Sequence, residues 1–428
     1  MRIIKQLLYV FLGGLLVGGA GAIAVFASLS RPAFFPEHQK QLFAVQAVDT
    51  MKYSRDISGQ VLDNPAAFKK MIDEQMRLIE DVGATHVAIA TPYDERFIPV
   101  LSLWVASARA HHLSVWFRGN FSGWEGWFGF PRIARAEHKR LLAAFIKKHP
   151  SLFKDGDLFS PCPECENGGP GDPRRTGEKE GYNNFLIEER DIALREFEAL
   201  GKSLEVYTTM NGDIARDIIT PASAKALGGT VLIDHYVSSA ERFGNDVRTI
   251  AKKLDAKVGL GELGAPIPDL NGNMTPLAQA NFVRALLDTL YVQNESVPLV
   301  SYWTLTGGST AIVNDDGTPR PAYFVLKDYY TAPYVYGTIM DSLGEPLSDV
   351  AVTVASTTYS VKTDGGFYQL FLPPGYRTIV VEDSAEYPGV TFALSNDIGT
   401  STQRNVYLKP AHPSLWYKIR ALFYGKKA

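Results

Sequence analysis

Eight short apolar or β-branched runs alternate with longer helical patterns between residues 43 and 331, and this alternation constrains the fold most. Consecutive runs start 26 to 47 residues apart, which leaves room for a helix between each pair. Strands connected through helices pair in parallel, and eight such units can close into a barrel. We therefore predict an α/β fold, a (β/α)₈ (TIM) barrel over residues 43–332, with a doubly wound open sheet as the alternative. The runs are residues 43–49, 86–91, 113–118, 157–161, 204–209, 230–236, 257–262 and 298–305.

The pattern changes after residue 332, where short alternating strands are separated by glycine-rich turns. This predicts a small all-β antiparallel sandwich over residues 333–411. The motifs G-x-I-x-D-x-x-G-x-P-L-x-x-V-x-V (residues 337–352) and T-D-G-G-F-Y-x-L-x-L-P-P-G-Y (residues 363–376) resemble the carboxypeptidase-regulatory-like, transthyretin-like module. The resemblance implies a non-catalytic domain that acts as a spacer, a packing element or a carbohydrate contact.

The N-terminus contains an uncharged run of 22 residues, Leu7 to Ser28, preceded by Arg2 and Lys5. This length suffices for one transmembrane helix, and the preceding positive charges predict export of the rest of the chain. We interpret residues 1–30 as a membrane anchor and 31–42 as a linker, which places the barrel on the extracytoplasmic side of the cell membrane. Cleavage after the Ala22-Ile23-Ala24 triplet is the alternative and would make the protein secreted.

Carboxylates follow two predicted strands that lie across the barrel mouth from each other. Glu164 and Glu166 follow the fourth strand, and Glu262 ends the seventh. Barrel enzymes carry their chemistry at the carboxyl ends of the strands. Glycosidic cleavage needs one carboxyl group to protonate the leaving oxygen and another to attack the anomeric carbon or to activate water. The pattern therefore indicates a glycosidase site, although acids at barrel ends also cap loops.

Four segments in order resemble clan A glycoside hydrolases, the retaining (β/α)₈ glycosidases. C-P-E-C-E-N-G (residues 162–168) is similar to the family's N-E-P-E-N-G ending, which implies that Glu164 is the acid/base. G-E-L-G-A (residues 261–265) is similar to the E-F-G-A ending and implies that Glu262 is the nucleophile. S-Y-W-T-L (residues 301–305) places Trp303 as the aromatic floor of the sugar site, and residues 314–323 resemble the D-G-x-P-K-P-A-Y stretch.

One position departs from the family pattern. Pro163 stands where the family has an Asn that binds the sugar 2-hydroxyl. Asn120 or Asn167 could supply the missing amide, or the register shifts by two and Glu166 is the acid. The departure also leaves open a catalytically inactive barrel that acts as a surface carbohydrate-binding protein.

Other strand-end residues fit a sugar site, among them Asp49 after the first strand and Arg118 after the third. The family uses a strand-six His or Tyr to tune the nucleophile, which implies His235 or Tyr236. Alternation points these two in opposite directions, and we favour Tyr236. The loop after Arg118 carries Trp124 and Trp127, whose indole faces could stack on sugar rings or simply close the barrel top.

Cys162 and Cys165 flank Glu164. A C-x-x-C pair can bind a metal, perform redox chemistry or form a short disulfide. Zinc needs four ligands and no second pair is present, and a thiol oxidoreductase would need a different fold. In an exported chain we expect a disulfide that holds the backbone around Glu164. The sequence predicts no metal and no cofactor.

The tail, residues 412–428, is basic and carries Leu415, Trp416, Ile419, Leu422 and Phe423 on one helical face. Such a helix is typical of membrane-surface binding, with docking on the barrel as the alternative. The whole chain has 43 basic and 46 acidic residues, so no overall field favours nucleic acid. The expected partners are therefore a polysaccharide or oligosaccharide and a membrane.

Overall fold

The computed structural model describes residues 41–293, 296–395 and 401–424, and these residues belong to one compact unit. The strands of its first part share one parallel sheet in the order β5-β4-β3-β2-β1-β9-β8-β7-β6. This confirms the predicted parallel α/β arrangement. These strands are β1 Val45–Asp49, β2 His86–Ile89, β3 Ser114–Phe117, β4 Leu158–Phe159, β5 Glu205–Val206, β6 Thr209–Asn211, β7 Thr230–Asp234, β8 Lys257–Leu263 and β9 Leu299–Tyr302.

The two ends of this sheet are adjacent in the chain. β5 pairs with β4, β6 pairs with β7, and only Tyr207 and Thr208 separate β5 from β6. The two short strands are therefore halves of one interrupted strand, and the curled sheet has eight strand positions. β4 and β8 are three positions apart on this ring, so their carboxyl ends lie on opposite sides of the mouth.

Helices follow the strands as the sequence pattern predicts, and several begin at a side-chain cap. Ser239 accepts a hydrogen bond from the backbone of Arg242, and Thr275 accepts one from Ala278. The helices of this part are Met51–Ser54, Ser58–Asp63, Pro65–Asp81, Ile98–Ala110, Arg135–Lys148, Cys165–Gly168, Pro173–Thr176, Lys179–Ala199, Gly212–Asp217, Pro221–Ala226, Ala240–Leu254, Pro268–Asn271, Pro276–Tyr291 and Pro321–Tyr330, with 3₁₀ turns at Glu95–Phe97, Trp124–Gly129 and Pro150–Leu152.

An apolar cluster fills the inside of the barrel, separate from the larger core between the sheet and the helices. Successive strand residues point to opposite faces, so the next inward residue lies two positions further along each strand. On β1, β3 and β7 this residue is Asp49, Arg118 and Asp234 respectively. A charged layer therefore sits directly above the apolar one, at the carboxyl ends of the strands. The inner cluster comprises Val45, Ala47, Ala88, Trp116, Leu158, Leu232 and Leu299.

Two small sheets follow the barrel, in the strand orders β13-β10-β16, with β17 also paired to β10, and β12-β11-β14-β15. The antiparallel prediction is only partly right, because β10 pairs in parallel with β16 and β17. The strands are β10 Tyr334–Asp341, β11 Ala351–Val354, β12 Ser360–Lys362, β13 Phe367–Phe371, β14 Thr378–Val381, β15 Val390–Ala393, β16 Thr402–Gln403 and β17 Val406–Leu408, and the tail forms the helix Leu415–Tyr424.

The β-sheets pack on the barrel helix Pro276–Tyr291. The Tyr291 hydroxyl donates to the Phe371 carbonyl at 2.6 Å, and the Tyr376 hydroxyl donates to Asp288 at 2.7 Å. The rings of Tyr291 and Tyr359 meet edge to face with centroids 4.9 Å apart. Three tyrosines thus join the two parts, and two of them, Tyr291 and Tyr376, have hydrogen-bonded hydroxyls.

No helix within residues 41–293, 296–395 and 401–424 is long and apolar enough to cross a membrane. The predicted span Leu7–Ser28 lies outside the described residues.

Candidate active site

Arg118 lies at the centre of the charged layer and is fully buried. Its Nη1 is 3.0 Å from Asp49 Oδ2 and 3.2 Å from the Gly261 carbonyl, and its Nη2 is 3.0 Å from Asp234 Oδ2. Glu262 Oε1 is 3.0 Å from the same Nη1, without the angle of a hydrogen bond. One guanidinium therefore faces three carboxyl groups from three different strands.

This excess of carboxyl groups changes their protonation. Burial, together with the negative charge of Glu262, raises the pKa of Asp49 to about 7 against the pull of Arg118. Burial also raises the pKa of Asp234, where the charges of Glu262 and Glu164 add to the effect. The layer therefore holds a proton more readily than an exposed pair of aspartates would.

Glu262 enters the site through an irregularity near the end of β8. Asp234 pairs with Glu262 rather than with Gly261, and the pairing with β9 shifts between Leu260 and Leu263. A Cβ at Gly261 would lie 2.3 Å from Asp234 Oδ1, so the glycine makes room for the aspartate. Such bulges re-aim side chains next to active sites.

The two aromatic residues after β7 have different positions. The Tyr236 hydroxyl donates to Glu262 Oε2 at 2.8 Å. His235 points away from this carboxylate: its Nε2 is 3.1 Å from Asp246 Oδ2, and its ring stacks on Phe243 in the following helix. Alternation predicts this difference, and the structure brings Tyr236 but not His235 to the Glu262 carboxylate.

Glu164 and Glu166 differ in what surrounds their carboxyl groups. Glu166 is 2% exposed, and its oxygens accept hydrogen bonds from the Tyr182 hydroxyl at 2.8 Å and the Asn211 backbone at 2.6 Å. Glu164 is half-buried, and its charge raises the pKa of Tyr236, after burial and the charges of Glu262 and Asp234. The charge of Glu164 therefore reaches the Tyr236–Glu262 pair, whereas Glu166 joins its loop to the helix Lys179–Ala199 and to β6.

The loop that carries Glu164 is closed by a disulfide between the buried Cys162 and Cys165, with an S–S distance of 2.03 Å. Glu164 between them has a φ of 44°, a left-handed conformation that is uncommon for any residue except glycine. Its backbone N–H donates to the Thr209 carbonyl at 3.0 Å, which joins the loop to β6. Unusual backbone conformations of this kind cluster at functional sites.

The two asparagines considered for the sugar 2-hydroxyl are both engaged in loop contacts. Asn120 is buried, and its Oδ1 accepts from the backbones of Phe121 and Ser122 and lies 3.2 Å from His138 Nε2. Asn167 Oδ1 accepts from Arg174 and Asn211. The structure therefore places the Asn120 and Asn167 amide oxygens in loop packing.

Aromatic residues lie at the barrel mouth together with two cationic side chains, Lys52 and Arg55, that the sequence analysis did not identify. Trp303 meets Tyr236 edge to face with centroids 6.0 Å apart, and Lys52 Nζ lies 5.3 Å from the Trp303 ring centre. Arg55 lies 4.9 Å from the Trp127 ring centre. Both cations follow β1 directly, a position at which a barrel contributes residues to its mouth. The Trp124 side chain lies outside the described part.

Several buried polar atoms of this region have no hydrogen-bond partner among the described residues. Glu262 Oε1, Asp234 Oδ1 and the indole Nε1 of Trp303 belong to this set, as do Thr209 Oγ1 and Ser301 Oγ on neighbouring strands. Buried polar groups are normally paired, and unpaired ones often mark functional sites. Their position in and beside the charged layer, at the carboxyl ends of the strands, suits a ligand rich in hydroxyl groups.

We expect Asp49→Asn to weaken the pH dependence of stability. Because the folded-state pKa of Asp49 is raised from 3.8 to about 7, the folded chain retains a proton that the unfolded chain has lost. Its contribution therefore lowers the free energy of unfolding as pH rises through this window, by about 1 kcal/mol per pH unit. Urea unfolding across the window measures the slope. Asp234 also has a raised pKa and still contributes to the pH dependence in the variant, so the slope decreases without vanishing.

Asp63→Asn, at an exposed helix position, is the matched control and should leave the slope unchanged. An equal slope in wild type and Asp49→Asn would contradict the raised pKa of Asp49.

Within the described ranges, no group of three or more His, Cys, Asp or Glu side chains could hold a metal ion.

Comparison with solved structures finds barrel glycosidases at low identity. The β-glucuronidase of Parabacteroides merdae aligns over 80% of this chain and 46% of its own, with 12% identity and a TM-score of 0.43. A GH10 endoxylanase retrieved from a sugarcane soil metagenome aligns over 68% and 100%, with 11% identity and a TM-score of 0.44. A family 5 xyloglucanase from Paenibacillus pabuli aligns over 60% and 89%, with 11% identity and a TM-score of 0.46.

This chain thus matches about half the length of the β-glucuronidase. No protein-family model and no curated protein matches the chain. The three structural neighbours are glycoside hydrolases, but with TM-scores below 0.5 they carry no inference on activity. A functional conclusion therefore rests on the residues of the barrel mouth.

Proposed function

We propose that this chain is a retaining glycoside hydrolase that cleaves β-linked poly- or oligosaccharides. The observation that carries the proposal is the environment of Glu262, whose two oxygens lie beside the Tyr236 hydroxyl at 2.8 Å and the Arg118 guanidinium at 3.0 Å. Glu164 follows β4, on the other side of the mouth. Two carboxyl groups in unlike surroundings are what an acid and a nucleophile require.

The proposed reaction is a double displacement. Glu164 donates its proton to the glycosidic oxygen while a Glu262 oxygen attacks the anomeric carbon, so the leaving sugar departs as an alcohol and a glycosyl ester remains on Glu262. Glu164, now ionised, then takes a proton from water. That water attacks the anomeric carbon, releases Glu262 as a carboxylate and leaves Glu164 protonated for the next cycle.

The other residues of the mouth position these two groups and the sugar. Tyr236 and Arg118 orient the Glu262 carboxylate, and Asp49 and Asp234 fix Arg118 in turn. The half-buried Trp303 offers an apolar surface beside Glu262 on which a sugar ring can stack. In this scheme the β-sandwich is a non-catalytic spacer or carbohydrate contact.

Retention of configuration is the expected result when the purified chain from residue 31 onward cleaves an aryl β-glycoside. Proton NMR during the first turnovers should show the β-anomer of the free sugar before mutarotation. Retention requires the two carboxyl groups to lie about 5–5.5 Å apart in the working enzyme, whereas inversion needs about 6.5–9.5 Å. An α-anomer as the first product would refute double displacement.

The second candidate is an inactive barrel that binds carbohydrate at a cell surface. Pro163 favours it, because a proline has no amide with which to hold the sugar 2-hydroxyl. Saturable binding of an oligosaccharide, without hydrolysis of any aryl glycoside, would select this candidate over the enzyme.

We further propose that the chain is anchored in the cell membrane through Leu7–Ser28, with the barrel outside the cytoplasm. The support is the 22-residue uncharged run and the two basic residues before it. A mature N-terminus that begins after Ala24 or Ala27 would make the protein secreted.

A further inference from the structure

The helix Leu415–Tyr424 is attached to the β-sandwich by polar contacts and turns its apolar side outward. Tyr417 shares a hydrogen bond with Ser342, and Arg420 forms an ion pair with Glu345. Leu415, Trp416 and Leu422 are 76%, 69% and 82% exposed. A surface helix of a soluble domain normally buries its apolar stripe, so this helix has the reverse arrangement.

The positions around the helix explain the arrangement. At ~100° per residue, Leu415, Ile419 and Leu422 fall on one side, and Tyr417 and Arg420 fall roughly opposite. The docked side is therefore fixed by its two polar contacts, and the exposed side is continuous. Large apolar residues exposed next to one another mark a surface that meets a partner or a membrane.

The charge of the tail helps to distinguish a protein partner from a membrane. Within the tail, residues 412–428, the sequence has four basic residues and no acidic one. Lys418 is exposed on the helix, and Glu345 is already paired with Arg420. Apolar side chains with a tryptophan, flanked by basic residues, match the boundary between anionic lipid headgroups and acyl chains.

We infer that the exposed face of the helix Leu415–Tyr424 binds the surface of an anionic lipid bilayer. Leu415, Trp416, Ile419 and Leu422 enter the interface, and the exposed Lys418 contacts the headgroups. Contact at this helix orients the β-sandwich, and with it the barrel packed on the sandwich, relative to the membrane. The inference is independent of the glycosidase proposal.

Co-sedimentation with vesicles tests this surface. The chain from residue 31 onward is used, because it contains all the described residues of the compact unit. We expect binding to phosphatidylcholine vesicles that contain phosphatidylglycerol, and weaker binding to phosphatidylcholine alone. Leu415→Ser combined with Leu422→Ser should weaken binding about tenfold or more, because two apolar side chains no longer leave water. Lys418→Gln should weaken binding only to the anionic vesicles, about fivefold.

Leu277→Ser is the matched control, since Leu277 is 65% exposed on a barrel helix and lies outside the tail. It should bind vesicles as the wild type does, and unchanged thermal unfolding of every variant shows that the fold is intact. Absence of vesicle binding, or equal binding by the double variant, would overturn the inference. A concentration-dependent dimer that the double variant abolishes, without vesicle binding, would assign this face to a second copy of the chain instead.

Discussion

Glu262→Gln is expected to lower kcat on every β-glycoside by more than about 10⁴-fold, which exceeds what general acid–base catalysis alone contributes. Gln preserves the size of the side chain and can still meet the Tyr236 hydroxyl and Arg118. It cannot form a glycosyl ester, so the loss reports the covalent step itself. Steady-state kinetics with a dinitrophenyl glycoside measure it, because this leaving group needs no protonation.

Two further measurements identify the atom that reacts. A 2-deoxy-2-fluoro β-glycoside with a dinitrophenyl leaving group should label the wild type once, on the peptide that contains Glu262. Azide should restore turnover of Glu262→Gly and give the α-glycosyl azide, because the anion attacks from the side that Glu262 has left. Glu205→Gln, on β5 and exposed, is the matched control and should keep full activity. A label on another carboxylate would refute the role of Glu262.

Sequence periodicity predicts which strand-end residues face the candidate site. Period-two alternation along each strand predicts that Asp49 and Arg118 face the inside of the barrel above the apolar cluster, where they are found. The same alternation separates Tyr236 from His235. These placements depend only on local geometry and on the carboxyl-end rule for parallel barrels.

Features that depend on close packing between distant segments could not be predicted. Gly261 is required because the Asp234 carboxyl occupies the space of its Cβ, a contact between two strands. The left-handed conformation of Glu164 has no signature in a non-glycine residue. Likewise, the parallel pairing of β10 with β16 and β17 joins segments more than 60 residues apart, beyond the reach of hairpin patterns.

The positions of Lys52 and Arg55 at the barrel mouth could not be predicted from the sequence either. Their spacing after β1 is that of an ordinary helix start, and nothing local indicates the tryptophans that they approach. Glu166 shows the opposite case: its sequence position suits an acid, yet Tyr182 and the Asn211 backbone occupy its oxygens. Only the folded structure distinguishes the two glutamates of this loop, because the partners of Glu166 come from other parts of the chain.

Glu164→Gln is expected to slow the enzyme according to its leaving group. Removal of a general acid costs about 10²–10⁴-fold where the departing oxygen needs a proton, and much less for a dinitrophenolate. The pH profile should lose its basic limb, because that limb reports the ionisation of the acid. Azide should then restore turnover and give the β-glycosyl azide, since a small anion can attack the glycosyl enzyme without a general base.

Glu166→Gln is the comparison that decides the register of the loop. Both Glu166 oxygens accept hydrogen bonds in a buried position, and the Gln amide can replace only one of these acceptors. We therefore expect a less stable protein whose rates fall by a similar factor for good and poor leaving groups, with the basic limb intact and no azide product. If Glu166→Gln instead shows the leaving-group dependence and the azide rescue, and Glu164→Gln does not, the proton donor is Glu166. The loop contacts of Glu166 would then have to open before each turnover.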